Sequence, residues 1–185
     1  MAIFDQIISL NRQMLGAAKL GVNFSERFVF PDLYIAVSTP EKDLDQGLAA
    51  YNNGDYETAI AKWKPLAEAG EPSAQYYLGL VYFNGQGVLQ DYLETIQWFK
   101  LAVEQGKFEA QYNIAFTYAN GRGVRRDNLT AYMWLYIAGY SENKLAARVG
   151  EFRDERAKRM TNAEISQGTL WAKECLNSGY TMCGY

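Results

Sequence analysis

Two glycine-rich segments are the part of the sequence whose residue types most suggest a site for chemistry. Residues 82–92 read YFNGQGVLQDY and residues 118–128 read YANGRGVRRDN, so one pattern returns after 36 residues. A glycine-rich turn followed by a carboxylate could cradle a phosphate group. A phosphate loop, however, follows a strand, opens a helix and usually supplies lysine, serine or threonine. Neither segment has that context, so we interpret both as turns between two helices.

The remaining residue types give little support to an enzyme. The sequence contains no histidine, which excludes histidine-based catalytic triads and histidine metal ligands. Two cysteines are too few for a structural zinc site, and no spacing singles out an acidic pair for glycoside hydrolysis. Arg122, Arg125 and Arg126 make the second turn basic, which we interpret as a solvated loop rather than an anion site. We therefore predict no catalytic residue, no metal and no cofactor.

The two cysteines, Cys175 and Cys183, lie eight residues apart near the end of the chain. They could form a local disulfide if the chain turns back after Gly179, and this would require an oxidising compartment. The first residues lack a basic region and an uninterrupted apolar stretch, so they do not read as a signal peptide. Free thiols in the cytoplasm are therefore one expectation, and a disulfide in the periplasm is the alternative.

The composition is that of a folded protein and argues against a general nucleic-acid binder. Hydrophobic residues make up 49% of the 185 residues and charged residues 21%. The net charge of −3 argues against a nucleic-acid partner, because phosphate neutralisation needs a basic surface. No apolar run approaches the length of about 18 residues that a membrane span needs, so we do not expect a membrane partner.

A repeat of about 36 residues extends well beyond the two turns. The segment AQYYLGLVYFNG, which begins at Ala74, is matched by AQYNIAFTYANG at Ala110, and weaker copies precede and follow this pair. Tryptophan recurs at positions 63, 98, 134 and 171, at intervals of 35, 36 and 37 residues. A period of this size is typical of stacked helix-turn-helix units.

The glycines are expected to shape the turn inside each unit. Gly85 and Gly121 should end the first helix at positive φ, where a residue without Cβ meets no clash. Gly87 and Gly123 should complete the turn. Asp91 is then placed to cap the second helix.

The pattern A-x-x-x-L-G-x-x-Y-x-x-G-x-G-V-x-x-D, followed by Trp, Ala and Gly, resembles the Sel1-like repeat family, which is related to tetratricopeptide repeats. The resemblance covers about residues 44–180, although residues 47–70 look more like a tetratricopeptide unit and the last unit lacks the glycine turn. It implies an all-α fold, a right-handed α-α superhelix of helix-turn-helix repeats. It also implies an adaptor that holds a partner protein or peptide. A cell-envelope enzyme, or an enzyme regulator, of hydrolase type is the alternative.

Matching to the related pattern also implies which residues face a concave groove lined by the first helix of each unit. Rings supply contact area and amides can bind a peptide backbone, so the set suits a peptide partner. Its members are Tyr51, Asn52, Tyr76, Leu80, Phe83, Asn84, Tyr112, Phe116, Asn120, Arg148 and Phe152. The alternative for each ring is packing between neighbouring helices.

Residues 1–43 do not fit the repeat. They read as an N-terminal helix followed by the extension NFSERFVFPDLYIAVSTP at 23–40, which is too apolar for a free linker. We expect this segment to cap the first unit, with occupation of the groove as an alternative. Exchange of residues 1–40 between two copies would instead give a homodimer. Residues 181–185 are assigned to a C-terminal tail.

Overall fold

The computed structural model describes residues 39–140, 144–181 and 183. The expectations of an N-terminal cap and of a homodimer concern residues that lie outside these ranges. All regular structure within the described ranges is helical. The helices are α1 Pro40–Asn52, α2 Tyr56–Glu68, α3 Pro72–Asn84, α4 Tyr92–Glu104, α5 Phe108–Asn120, α6 Asn128–Gly139, α7 Ala146–Ala157 and α8 Asn162–Asn177.

The helices pack as successive pairs. Helix α1 contacts α2, α3 contacts α4, and α5 contacts α6, while α7 and α8 both contact α6. Contacts between α2 and α3 and between α4 and α5 join one pair to the next. Helices that are adjacent in sequence are therefore adjacent in space, as in a stacked repeat. The predicted fold, an all-α right-handed superhelix of helix-turn-helix repeats, is confirmed.

Side-chain caps set where the helices begin. Asp91 and Asp127 share an extended backbone with φ of −140°, and each carboxylate accepts two backbone N–H groups of the following turn. Helix α1 begins at Pro40, four residues before the boundary predicted at residue 44. It begins there because the Thr39 side chain accepts the N–H of Lys42, and because the fixed φ of proline suits the first helical position.

The two glycine turns recur with nearly the same backbone. Gly85 and Gly121 both have φ of 66° at the ends of α3 and α5. Gly87 and Gly123 follow with φ of 73° and 67°. The turns also contact the preceding unit, because a Cβ on Gly123 would overlap the side chain of Tyr92. Each turn therefore joins two helices and also packs against the preceding unit.

Two buried clusters hold the pairs together. The first lies around Trp63, which is fully buried and donates its Nε1–H to the backbone carbonyl of Leu44. The second extends from α4 to the C-terminal end and includes Phe99 and Trp134. Both clusters combine side chains from successive units, so each unit depends on its neighbour to bury its apolar face.

Small residues allow the two helices of a pair to approach closely. Gly79 on α3 lies against the ring of Phe99 on α4, with no room for a Cβ between them. One repeat later these positions are Ala115 and Leu135, both in the second buried cluster. A larger residue on one helix thus comes with a smaller residue on the other.

A disulfide joins the end of α8 to the C-terminal residues. Gly179 and Tyr180 both have positive φ, and the N–H of Tyr180 donates to the carbonyl of Cys175. The chain turns back here, and Cys183 forms a buried disulfide with Cys175. The expectation of two free thiols is therefore corrected, because the turn brings the two sulfur atoms together.

Candidate functional site

The first helices α3, α5 and α7 present several of the predicted partner-binding residues on one surface, which we call the first-helix face. We define it by Tyr76, Leu80, Phe83, Tyr112, Phe116, Arg148 and Phe152. Within each helix these positions are three or four residues apart, so their side chains lie on the same side of the helix. Between helices they recur at the 36-residue spacing of the repeat.

An open pocket of about 340 Å³ lies on this face. It is lined by Tyr76, Phe108, Glu109, Tyr112, Asn113, Leu145, Arg148, Val149 and Phe152. The structure therefore brings together Tyr76, Tyr112 and Arg148, which are one predicted set from three successive units, and adds Phe152 from a second set.

Tyr76 has one apolar side and one polar side. Its ring centroid lies 5.8 Å from that of Phe99, and the Lys107 ammonium lies 5.8 Å from the Tyr76 centroid. Its hydroxyl accepts a hydrogen bond of 3.4 Å from Asn113. Burial raises the pKa of the Tyr76 hydroxyl to about 12, with a smaller contribution from the negative charge of Glu109. The hydroxyl is therefore neutral around pH 7 and can both donate and accept.

Helices α5 and α7 meet in the pocket through Tyr112 and Phe152, whose ring centroids are 6.1 Å apart. Phe152 remains 44% exposed, so much of its ring is available to a partner. Arg148 precedes Phe152 by one helical turn, is exposed, and forms no ion pair with any carboxylate of the described residues. The acid that lines the pocket, Glu109, already lies 3.6 Å from the Lys107 ammonium.

A second aromatic group on the first-helix face surrounds an arginine from the glycine turn after α5. The rings of Phe83 and Phe116 meet with centroids 6.4 Å apart. The guanidinium of Arg122 lies 5.0 Å from the Phe83 centroid and 5.2 Å from the Phe116 centroid. Within the turn interpreted as a solvated loop, Arg122 is thus partly buried against two rings. Arg125 and Arg126 in the same turn are exposed.

Tyr51 from the predicted set takes part in the packing of a turn. It is half-buried, and its hydroxyl donates a 2.6 Å hydrogen bond to the Gln86 side chain. The Gln86 amide in turn donates to the hydroxyl of Tyr56 at 2.9 Å. These bonds tie the first glycine turn to the preceding unit, so packing between units accounts for Tyr51.

Three other predicted residues lie at the ends of the first helices, and Leu80 is partly buried within the face. Asn52, Asn84 and Asn120 are exposed at the last positions of α1, α3 and α5. The Asn120 amide donates to a carbonyl of its own helix at 2.8 Å, and the Asn84 amide donates to a glutamine in the turn at 3.2 Å. Leu80 is half-buried against the second cluster. Each asparagine keeps its exposed position at the edge of the face.

Sequence reasoning missed two side chains of this face. Asn113 lines the pocket, but its counterpart in the preceding repeat is Tyr77, so alignment of the repeats gave no signal for it. Arg122 replaces Gln86 at the repeat spacing, and this change of charge was visible in the sequence. The two rings that hold Arg122 come from different helices, and their proximity depends on how the units stack.

Three further features of the described residues concern metal binding, membranes and a second pocket. No group of three or more histidine, cysteine, aspartate or glutamate side chains among them is placed to hold a metal ion. No helix within these ranges is long and apolar enough to cross a membrane. A second open pocket, of about 390 Å³, is lined by Tyr136, Tyr140, Lys173, Leu176 and Asn177 and contains no acidic side chain.

Comparison with solved structures identifies the fold. A protective antigen present in uropathogenic Escherichia coli strains, which displays an SLR fold, superposes with a TM-score of 0.70 and 24% identity. The match covers 77% of this chain and 32% of the antigen. A Sel1 repeat protein from Oxalobacter formigenes gives a TM-score of 0.54 and 28% identity, over 58% of this chain and 45% of that protein. The chain therefore matches less than half the length of either protein.

Comparison of the sequence with family models gives the same result. The Sel1 repeat model matches residues 72–107 and 108–143, while no curated protein matches the chain. The two matched segments run from the start of α3 past the end of α4, and from the start of α5 past the end of α6. Sel1 repeats generally form helical scaffolds for protein–protein interaction and are typically non-catalytic. The two central units of the chain therefore match the Sel1 repeat model, within an array that has the SLR fold.

Proposed function

We propose that the protein is an adaptor that holds an extended segment of a partner protein along the concave first-helix face. The observation that carries the proposal is the convergence of Tyr76, Tyr112 and Arg148, from the first helices of three successive units, in one open pocket. A site assembled across three repeats is open along its length. That form suits a protein segment better than a small molecule, which is usually enclosed in a cavity.

The side chains of this face have the chemistry that a peptide needs. Phe116 and Phe152 are 37% and 44% exposed, and exposed rings anchor partners because they supply a large contact area. Asn113 and the neutral hydroxyl of Tyr76 can form hydrogen bonds with a peptide backbone. Removal of one anchoring ring typically costs about 1–3 kcal/mol of binding free energy.

Selection of a random peptide library on the purified protein tests the proposal directly. We expect the selected peptides to lose about tenfold or more in affinity for Tyr112→Ala and for Phe116→Ala. The matched control is Leu101→Ala, because Leu101 is 41% exposed on α4, a second helix. Circular dichroism checks that each variant is folded. Peptides that lose as much affinity for Leu101→Ala as for Phe116→Ala would contradict the proposal.

We also propose that the protein works in an oxidising compartment such as the periplasm. The support is the buried Cys175–Cys183 disulfide, since such bonds persist in oxidising surroundings and are rare in the cytoplasm. Maleimide labelling of thiols in native cells lysed under denaturing conditions tests this. We expect no labelling without prior reduction, whereas labelling of both cysteines before reduction would contradict the proposal.

A further inference from the structure

We propose that the segment held on the first-helix face is acidic, with two carboxylates flanking an apolar side chain, one carboxylate bound by Arg122 and the other by Arg148. This inference rests on the proposed function and specifies the chemistry of the partner. Three features of the described residues carry it: the way Arg122 is held, the charge environment of Arg148, and the spacing of the two along the face.

Arg122 is held in a form that suits carboxylate binding. Its guanidinium lies over the rings of both Phe83 and Phe116, at 5.0 and 5.2 Å from their centroids. A guanidinium that rests against aromatic rings keeps its N–H groups, which can bind a carboxylate with two parallel hydrogen bonds. Among the described residues, no carboxylate forms an ion pair with Arg122.

Arg148 brings a positive charge to the pocket, and no unpaired acidic side chain among the lining residues compensates it. The acid that lines the pocket, Glu109, lies 3.6 Å from the Lys107 ammonium, so these two charges largely cancel. Arg148 therefore leaves the pocket positive, although the whole chain has a net charge of −3. An acidic segment complements this local charge, whereas a basic segment would be repelled.

The spacing of the two arginines defines the length of the segment. Arg148 lies in the pocket with Tyr76, and Arg122 lies over Phe83, seven residues later on the same helix. A helix rises about 1.5 Å per residue, which offsets the two anchor points by about 10 Å along the helix axis. Arg148 is on α7 and Arg122 follows α5, so the spacing of about 8–10 Å between packed helices adds a lateral offset. An extended chain rises about 3.3 Å per residue. Two carboxylates about four residues apart would therefore reach both arginines and place an apolar side chain against Tyr112 and Phe116.

Three capped synthetic peptides test the inference: Ac-GDAFADG-NH2, Ac-GNAFANG-NH2 and Ac-GKAFAKG-NH2. We expect titration calorimetry to show that the aspartate peptide binds at least about tenfold more tightly than the asparagine peptide, and that the lysine peptide is the weakest. Arg122→Gln and Arg148→Gln should each weaken the aspartate peptide about tenfold and leave the asparagine peptide unchanged.

Matched controls separate specific binding from a general effect of charge. Arg125→Gln removes the same charge from the same exposed turn and should leave the affinity unchanged. Arg122→Lys retains the charge but loses the flat guanidinium, so it should behave like Arg122→Gln. Thermal unfolding by circular dichroism confirms that the variants are folded. A short oligo(deoxythymidine) serves as a polyanion probe and should bind more weakly than the aspartate peptide.

Several outcomes would overturn the inference. Equal affinity for the aspartate and asparagine peptides would do so, as would equal losses for Arg125→Gln and Arg122→Gln, or tighter binding of the oligonucleotide. Absence of binding by all three peptides would also overturn it. In each case the library selection still tests the proposed function separately. Selected peptides that bind without acidic residues would support an adaptor whose partner has a different chemistry.

Discussion

Gly123 satisfies two constraints at one position. Its φ of 67° lies in a region that favours glycine, and a Cβ there would overlap the side chain of Tyr92 on α4. Gly54, in the turn between α1 and α2, has only the first constraint. Its φ is 78°, but a Cβ there would meet nothing within 4 Å.

We expect Gly123→Ala to lower the free energy of unfolding by about 2–3 kcal/mol, and Gly54→Ala by about 1 kcal/mol. The difference between the two losses measures the free energy that is needed to move the second glycine turn away from the preceding unit. Urea denaturation followed by circular dichroism provides both values. Equal losses in the two variants would show that Tyr92 moves aside without cost.

Gly79 supports a second prediction at this scale. A Cβ on Gly79 would overlap the Phe99 ring, so Gly79→Ala should lower the free energy of unfolding by about 1–3 kcal/mol. Gly150 on α7 is the control, because a Cβ there meets nothing within 4 Å. Gly150→Ala should instead raise the stability by about 0.5–1 kcal/mol, since alanine favours a helix. Stabilisation of both variants in urea denaturation would refute the close packing of α3 on α4.

Tyr76 makes the free energy of unfolding depend on pH in the alkaline range. Burial and the nearby charge of Glu109 raise the pKa of the folded-state hydroxyl from 10.0 to about 12. The unfolded chain therefore loses this proton first, and the contribution of Tyr76 to stability is complete below pH 10 and is lost as the pH rises towards 12. The urea midpoint should fall more steeply over this range in the wild type than in Tyr76→Phe. An equal fall of the urea midpoint with pH in the wild type and in Tyr76→Phe would contradict the assignment of this pH dependence to Tyr76.

The sequence predicts which residues occupy equivalent positions in successive units, because the repeat sets those positions. The set of Tyr76, Tyr112 and Arg148 came from matching the sequence to the related repeat pattern, in which the three positions are 36 residues apart. The role of Arg122 did not follow, because Phe83 and Phe116 lie on different helices. Their distance to Arg122 is set by the stacking of units, which no local pattern encodes.

The helical elements followed closely from local chemistry. The end of α3 at Asn84 and the start of α4 after Asp91 both depend on residues whose backbone preferences are strong. The C-terminal disulfide could not be predicted in the same way. A separation of eight residues allows either free thiols or a bond, and the positive φ of Gly179 and Tyr180 decides between them.

The disulfide gives a prediction at the scale of α8. It links Cys175 in α8 to the residues that follow, and α8 packs on α6. Reduction should lower the free energy of unfolding by about 2 kcal/mol, because the bond restricts the unfolded chain. Urea denaturation with and without dithiothreitol measures the change. The Cys175→Ala/Cys183→Ala double variant should not respond to dithiothreitol. Identical curves for the oxidised and reduced wild type would contradict the prediction.

For the whole molecule, the array is a row of interfaces rather than one enclosed core. The first buried cluster surrounds Trp63 and the second surrounds Trp134, and both are shared between neighbouring units. This arrangement leaves the first-helix face open along the array, so that Phe116 and Phe152 remain exposed although the helices beneath them are well packed. An exposed aromatic surface on a stable scaffold is the physical basis of the adaptor proposal.

The central claim is that the partner contacts the first-helix face. Site-specific photocrosslinking in native cells tests it, with benzoylphenylalanine placed at Phe116 in one variant and at Leu101 in the other. Both sites are similarly exposed, at 37% and 41%, on different helices. We predict a discrete crosslinked product from position 116 that Arg148→Gln weakens, and none from position 101. The same product from both positions, or a product from position 101 alone, would contradict the account.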